Sequence, residues 1–202
     1  MSTAFNPGAG FADPVFASQT AFRAILSALS EPGTIHVLDA GIEAPDGLHP
    51  ASAVTLLTLA DYETPVWLAE AGREGAAGAW LRFHATTPLA AQPTEASFAV
   101  IDGAGNTPKL ADFSGGDDLF PDRSTTILVE CTTLEGGEMV TLSGPGIPGT
   151  RTVAPKGLRA EFWAEVAANN ALYPLGVDML LVAGNRVMGL PRSTIVTSGG
   201  QG

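Results

Sequence analysis

Residues 169–196 read NNALYPLGVDMLLVAGNRVMGLPRSTIV, and the fold turns on how this stretch is read. A helix-like run ending at Ala171 gives way, through Tyr173, Pro174 and Gly176, to the apolar run Val177 to Ala183. Gly184-Asn185 then separates that run from a second, Val187 to Leu190. Two apolar strands joined by two such residues predict a β-hairpin. The first run is too continuously apolar to have a wet face, so it belongs in a core. Polar groups interrupt the stretch at few points: Asp178 where the first strand starts, and Arg192, Ser193 and Thr194 after the second. Those interruptions are where a site is first sought.

Outward from this segment the pattern alternates. Asp13 to Leu29 carries apolar residues at Val15, Phe22, Ile25, Leu26 and Leu29, which predicts an amphipathic helix with that face inward. Asp13 suits the N-cap, Pro14 the first helical position and Pro32-Gly33 the stop. Ser18, Gln19 and Arg23 fall off this face and read as solvated surface. Thr34 to Leu38 reads as a short strand, Ala51 to Ala60 as a helix, Val66 to Leu68 as a brief buried strand and Gly72 to Ala85 as a helix weakened by Gly75 and Gly78. Ser97 to Ile101 and Thr125 to Thr132 read as strands. A Gly136-Gly137 turn predicts that the latter pairs with Met139 to Leu142 as a second hairpin. Glu161 to Ala171 reads as a helix. The expectation is an α/β fold: one layered domain over residues 13–196, with a flexible leader at 1–12 and a flexible tail at 197–202.

Composition narrows the function. The 202 residues are 45% hydrophobic and 15% charged, as globular chains are, and no apolar run approaches the roughly 18 residues of a membrane span. A net charge of -11 argues against nucleic acid, whose affinity rests on Lys and Arg neutralising phosphates. Cys131 stands alone, so no internal disulfide can form, which agrees with a cytoplasmic setting. The two lysines, Lys109 and Lys156, lie in polar surroundings unsuited to the desolvation that Schiff-base chemistry wants.

Few residues are placed for chemistry by pattern alone. The loop Ser143 to Gly149 is rich in glycine but lacks a nucleotide-loop ending, and Pro145 and Pro148 each remove an N–H donor. His36, His49, His84 and Cys131 show no zinc spacing. The aspartates of the long polar stretch Asp102 to Ser124 (Asp112, Asp117, Asp118 and Asp122) do not match a calcium loop. No metal and no cofactor is expected. What remains is Pro121-Asp122-Arg123-Ser124 before one strand and Pro191-Arg192-Ser193-Thr194 after another. Arginine suits bidentate phosphate or carboxylate recognition, and adjacent hydroxyls add donors. Arg123, Ser124, Asp178, Arg192 and Thr194 are therefore the ligand-binding candidates, with the two arginines expected near each other at one sheet edge. Pairing of these arginines with acidic neighbours is the structural alternative.

Five stretches, in order, resemble one family: PVFASQTAFRAILSALSEPG, LLTLADYETPVWL, PDRSTTILVE, LSGPGI and NNALYPLGVDMLLVAGNRVMGLPRST. The family is PhnH, the H subunit of the bacterial carbon-phosphorus lyase core complex of phosphonate metabolism. The resemblance implies a fold similar to the large domain of pyridoxal-phosphate-dependent transferases, without the cofactor lysine. It implies a homodimer in isolation and companion subunits G, I and J in the complex. It also implies a part in the step where a phosphonate displaces adenine from ATP to give ribose 1-phosphonate 5-triphosphate, after which the J subunit cleaves the C–P bond. ATP or phosphonate is thus a candidate ligand within the complex. No catalytic residue is carried over, and Pro191-Arg192-Ser193-Thr194 stands where paired threonines are expected. One apolar face is expected to serve both the dimer and a companion subunit. The alternative class is a stand-alone enzyme or binding protein for a phosphorylated small molecule.

Overall fold

The computed structural model describes residues 8–198; positions 1–7 of the expected leader and 199–202 of the expected tail lie outside the described residues. In chain order the helices are α1 (Pro14–Ser30), α2 (Pro50–Leu59), α3 (Glu70–Glu74), α4 (Ala76–His84) and α5 (Phe162–Asn170). The strands are β1 (Ile35–Val37), β2 (Val66–Trp67), β3 (Phe98–Asp102), β4 (Thr126–Glu130), β5 (Val140–Ser143), β6 (Arg151–Val153), β7 (Asp178–Ala183), β8 (Arg186–Leu190) and β9 (Ile195–Ser198).

Two sheets form. The larger has six strands in the order β1-β8-β7-β4-β3-β2, and the smaller three in the order β6-β5-β9. Strands β2, β3, β4 and β7 are parallel neighbours, whereas β8 is antiparallel to both β7 and β1. The Gly184-Asn185 hairpin is present, with Ala183 opposite Arg186. After Asp178 its first strand is apolar to Ala183 because both faces of the sheet are covered. Met179 and Leu181 enter one core, with Phe162 and Val166 of α5 and Val140 and Leu142 of β5. Leu180 and Val182 enter the other, with Ile25 of α1, Leu56 of α2 and Trp80 of α4.

Four expectations are corrected. The second hairpin does not form: β4 lies between β3 and β7, and β5 pairs with β6 and β9 in the other sheet. A strand apolar on both faces needs two neighbours and cover on each side, and this requirement outweighs the local Gly136-Gly137 signal. The helix expected over Gly72 to Ala85 is broken at Gly75 into α3 and α4. The chain stays paired past residue 196, since Thr197 and Ser198 oppose Thr141 and Val140.

Helix α1 is the fourth correction. Its N-cap is as read, with Phe16 N–H donating to Asp13 Oδ1 at 3.3 Å. Its buried residues, however, are Ala21, Ile25 and Ala28, while Val15, Phe22 and Leu26 are exposed. The reason lies in β8. A Cβ on Gly189 would collide with the backbone carbonyl of Ala28, so helix and strand approach backbone to backbone there, which turns the side of α1 bearing Ala28 and Ile25 toward the sheet.

Candidate functional site

Two ends of the large sheet carry polar constellations. At the amino ends of β4 and β7, Thr126 and Asp178 are register partners, which brings the turn ahead of β4, with Ser124 two residues before Thr126, to the end of β7 that Asp178 starts. Arg192, two residues beyond β8, folds back over both. Its backbone N–H and Nε donate to Asp178 Oδ1 at 2.9 and 3.1 Å, and Nη2 donates to Asp178 Oδ2 at 2.5 Å. Nη1 donates to the carbonyls of Pro121 at 2.8 Å and Pro174 at 3.4 Å, and Nη2 also donates to Ser124 Oγ. A guanidinium offers five N–H groups, and these partners engage all of them. With Arg192 and Asp178 only 12% and 26% exposed, this is a structural clamp between two strand ends and two loops.

The sequence-predicted set thus divides. Ser124, Asp178 and Arg192 are brought into one hydrogen-bonded knot. Arg123 sits at its rim on the same short turn, Pro121–Arg123, exposed, with its guanidinium carbon 3.9 Å from the centre of the Phe120 ring. Thr194 stands apart: it is buried, its N–H donates to Pro191 O, and its hydroxyl has no hydrogen-bond partner among the described residues.

The second constellation lies at the carboxyl ends of the parallel strands, where open α/β sheets bind ligands. Asp102 and Glu130, the last residues of β3 and β4, are register partners. They open on a cleft of about 450 Å³ that is also lined by His49, Cys131, Thr132 and Gly157. Glu130 Oε1 accepts the His49 N–H at 2.7 Å at the start of α2, and Asp102 Oδ1 accepts the Ala104 N–H at 3.0 Å. His49 Nδ1 accepts the Gly184 N–H at 3.2 Å, so in the neutral ring the proton sits on Nε2. Gly157 has φ +88°, and a Cβ there would overlap Thr132, so the close approach of these two loops requires glycine. Cys131 is buried and its thiol is pushed up to about 12 by that burial, which keeps it protonated at neutral pH. The side-by-side carboxylates can accept hydrogen bonds from hydroxyl or ammonium groups and repel oxyanions. Neither was singled out from the sequence, because strand register is non-local. The local signal is faint: an acidic residue ending an apolar strand at Ile101-Asp102 and again at Val129-Glu130.

Beside this cleft, Arg159 forms a second clamp. Its Nε and Nη2 donate to Glu165 at 2.9 and 2.7 Å, and Nη1 donates to Thr107 Oγ1 at 3.1 Å. The hydrogen bond to Glu165 raises the Arg159 pKa further. Burial alone would raise Glu165, yet the bonds from Arg159 and from the Leu110 N–H, with the Arg159 charge, hold it below the usual carboxylate range. Among the described residues no group of three or more His, Cys, Asp or Glu is placed to hold a metal ion, and no helix is long and apolar enough to cross a membrane.

The mostly parallel sheet, covered by helices on one face and by a small sheet and a helix on the other, defines a mixed α/β protein. Residues 9–197 match the family described as bacterial phosphonate metabolism protein (PhnH), and the chain belongs to that family. It is 40% identical, over 91% of its length and 92% of the relative's, to the alpha-D-ribose 1-methylphosphonate 5-triphosphate synthase subunit PhnH of Rhizobium meliloti (strain 1021). It is 29% identical, over 87% of its length and 84% of the relative's, to the putative C-P lyase subunit protein HtxG of Stutzerimonas stutzeri.

Proposed function

We propose that this chain is the H subunit of a carbon-phosphorus lyase assembly. In this reading it is needed for the step in which a phosphonate displaces adenine from ATP to give ribose 1-phosphonate 5-triphosphate, and it does not perform that step alone. The observation that carries the reading is the 40% identity, across nearly all of both chains, to a protein named as a subunit of the corresponding synthase. The geometry is in keeping with a subunit role. Arg192, the better placed of the two arginines, holds the fold together, and the open cleft is lined by carboxylates that disfavour a triphosphate.

The same reading takes the fold as a relative of the pyridoxal-phosphate transferase large domain that lacks the cofactor lysine. A mostly parallel sheet with a single reversed strand, β8, supports this. It also takes the protein as cytoplasmic and as a homodimer when isolated. The exposed apolar face of α1 and β1, with Phe16 70% and Val37 59% accessible, supports the dimer. A second reading, direct binding of a phosphorylated ligand, rests on Arg123, whose guanidinium is in no ion pair among the described residues.

The test is adenine release from ATP and methylphosphonate. The purified chain alone is expected to release none. The companion subunits are expected to release adenine with this chain present and to stop when it is omitted. Release by the chain alone would overturn the subunit reading.

A further inference from the structure

The Arg192 clamp displays a surface that the fold itself does not use. Its Nη1 holds the carbonyls of Pro121 and Pro174 together, and each proline follows a pair of exposed apolar residues. Leu119 and Phe120 precede the first, 82% and 42% accessible; Leu172 and Tyr173 precede the second, 56% and 64% accessible. The two arms are tied again where the Gly176 N–H donates to Gly115 O at 2.9 Å. Four large apolar side chains from sequence-distant loops therefore leave a single anchored point.

The first arm is held in shape. Asp117 Oδ1 accepts the N–H groups of Leu119 and Phe120 at 2.9 and 2.8 Å, and Arg123 stacks on the Phe120 ring. A projecting leucine on a closed turn loses little freedom when it is covered, the condition under which exposed apolar and aromatic groups become binding hot spots.

The charge around the arms selects the occupant. Asp117, Asp118 and Asp122 are exposed, and none is in an ion pair among the described residues. A second copy docking here by two-fold symmetry would bring the same acidic rims together. A nucleic acid would be repelled outright. An apolar socket rimmed by Lys and Arg complements the surface in both shape and charge. We propose that the loops at 117–123 and 172–173 are where a companion subunit of the assembly docks, through an apolar socket with a basic rim. Self-association uses the separate α1/β1 face, in place of the single shared face expected from composition.

This inference rests on the subunit reading, and the experiment keeps the two apart. The purified full chain is titrated with the purified companion subunits of its own assembly at low and high salt, and its self-association is followed by sedimentation. Leu119→Asp and Tyr173→Ala are each expected to weaken assembly by about tenfold or more. Asp118→Lys should weaken it and flatten the salt dependence. Phe22→Asp on α1 should leave assembly with companions unchanged. All four positions are solvent-exposed, so the variants retain the fold, as melting curves would verify. Companion binding unaltered in the Leu119 and Tyr173 variants overturns the docking surface while the subunit reading stands. A change of self-association in those variants overturns it in favour of a second copy. Failure of the wild-type chain to bind any companion overturns the subunit reading and the docking surface together.

Discussion

The two ends of the parallel strands treat charge in opposite ways. At the amino ends, Asp178 faces Arg192, and nearly every donor and acceptor is satisfied within the chain. At the carboxyl ends, Asp102 and Glu130 stand beside each other on a cleft with no cation of the chain paired to either among the described residues. The first arrangement stabilises the fold; the second costs some like-charge repulsion and leaves acceptors open to whatever enters. A conspicuous charged motif in a sequence can therefore be the structural end, while the open polar surface comes from residues that no motif marks.

The sharpest way to break this comparison is Arg192→Ala. It leaves Asp178 partly buried without its counter-charge and releases two loop carbonyls, so a loss of about 3 kcal/mol is expected in urea unfolding at pH 7. A loss below about 1 kcal/mol would put this clamp in the class of ordinary surface pairs.

Glu165→Gln sharpens the comparison from the other clamp. It keeps an oxygen for the Leu110 N–H but removes the charge facing Arg159, for an expected loss of about 2 kcal/mol at neutral pH. The sign of the pH effect follows from the lowered pKa of Glu165. Its contribution is complete above the unfolded value of about 4.3 and disappears as pH falls through the lower folded value. Stability of the wild type and of Glu165→Gln should converge on acidification. A gap that stays constant from pH 7 to about pH 3 would show that packing, not charge, accounts for the loss.

The smallest effect is expected at the open end. Asp102→Asn with Glu130→Gln removes two adjacent negative charges and retains an oxygen for each backbone N–H they accept. Thermal unfolding should move by no more than about 1 kcal/mol in either direction. A loss as large as that of Arg192→Ala would erase the contrast between the two ends.

Much of the fold was legible from local signals, and what escaped has a common cause. Asp13 and Pro14 set the start of α1, and Gly184-Asn185 set the hairpin, because both act within a few residues. The pairing of β4 with β3 and β7 is decided by burial on two faces, which Gly136-Gly137 does not reveal. On the expected inward face of α1, Ile25 is buried and Leu29 packs on the core, but Val15, Phe22 and Leu26 are exposed, because size alone does not mark burial. Gly189 instead lets the backbone of Ala28 approach β8 closely, and the buried side of the helix is that of Ala21, Ile25 and Ala28. At the site, the segments bearing Arg123 and Arg192 do meet, with Arg192 Nη1 donating to Pro121 O, but Arg192 is paired with Asp178, the structural alternative, while Arg123 lies at the rim. The Arg192–Asp178 pair follows from the hairpin register, with Met179 opposite Leu190, but the non-local register that places β7 beside β4, and so brings Pro121 and Ser124 to the same guanidinium, has no local signal. Asp102 and Glu130 escaped for the same reason.

The position of β7 bears on how the chain is made. This strand sits in the middle of the large sheet, yet it is synthesised after β1 to β6. On a ribosome, β3 and β4 emerge before β7, and the apolar edge of β4 has nothing to pair with until Asp178–Ala183 arrives. Strand β1 waits longer still for β8, its neighbour in the sheet, and α1 for the same strand to pack on. The nascent chain thus carries an open strand edge through most of its translation, a window in which chaperone protection matters and aggregation competes.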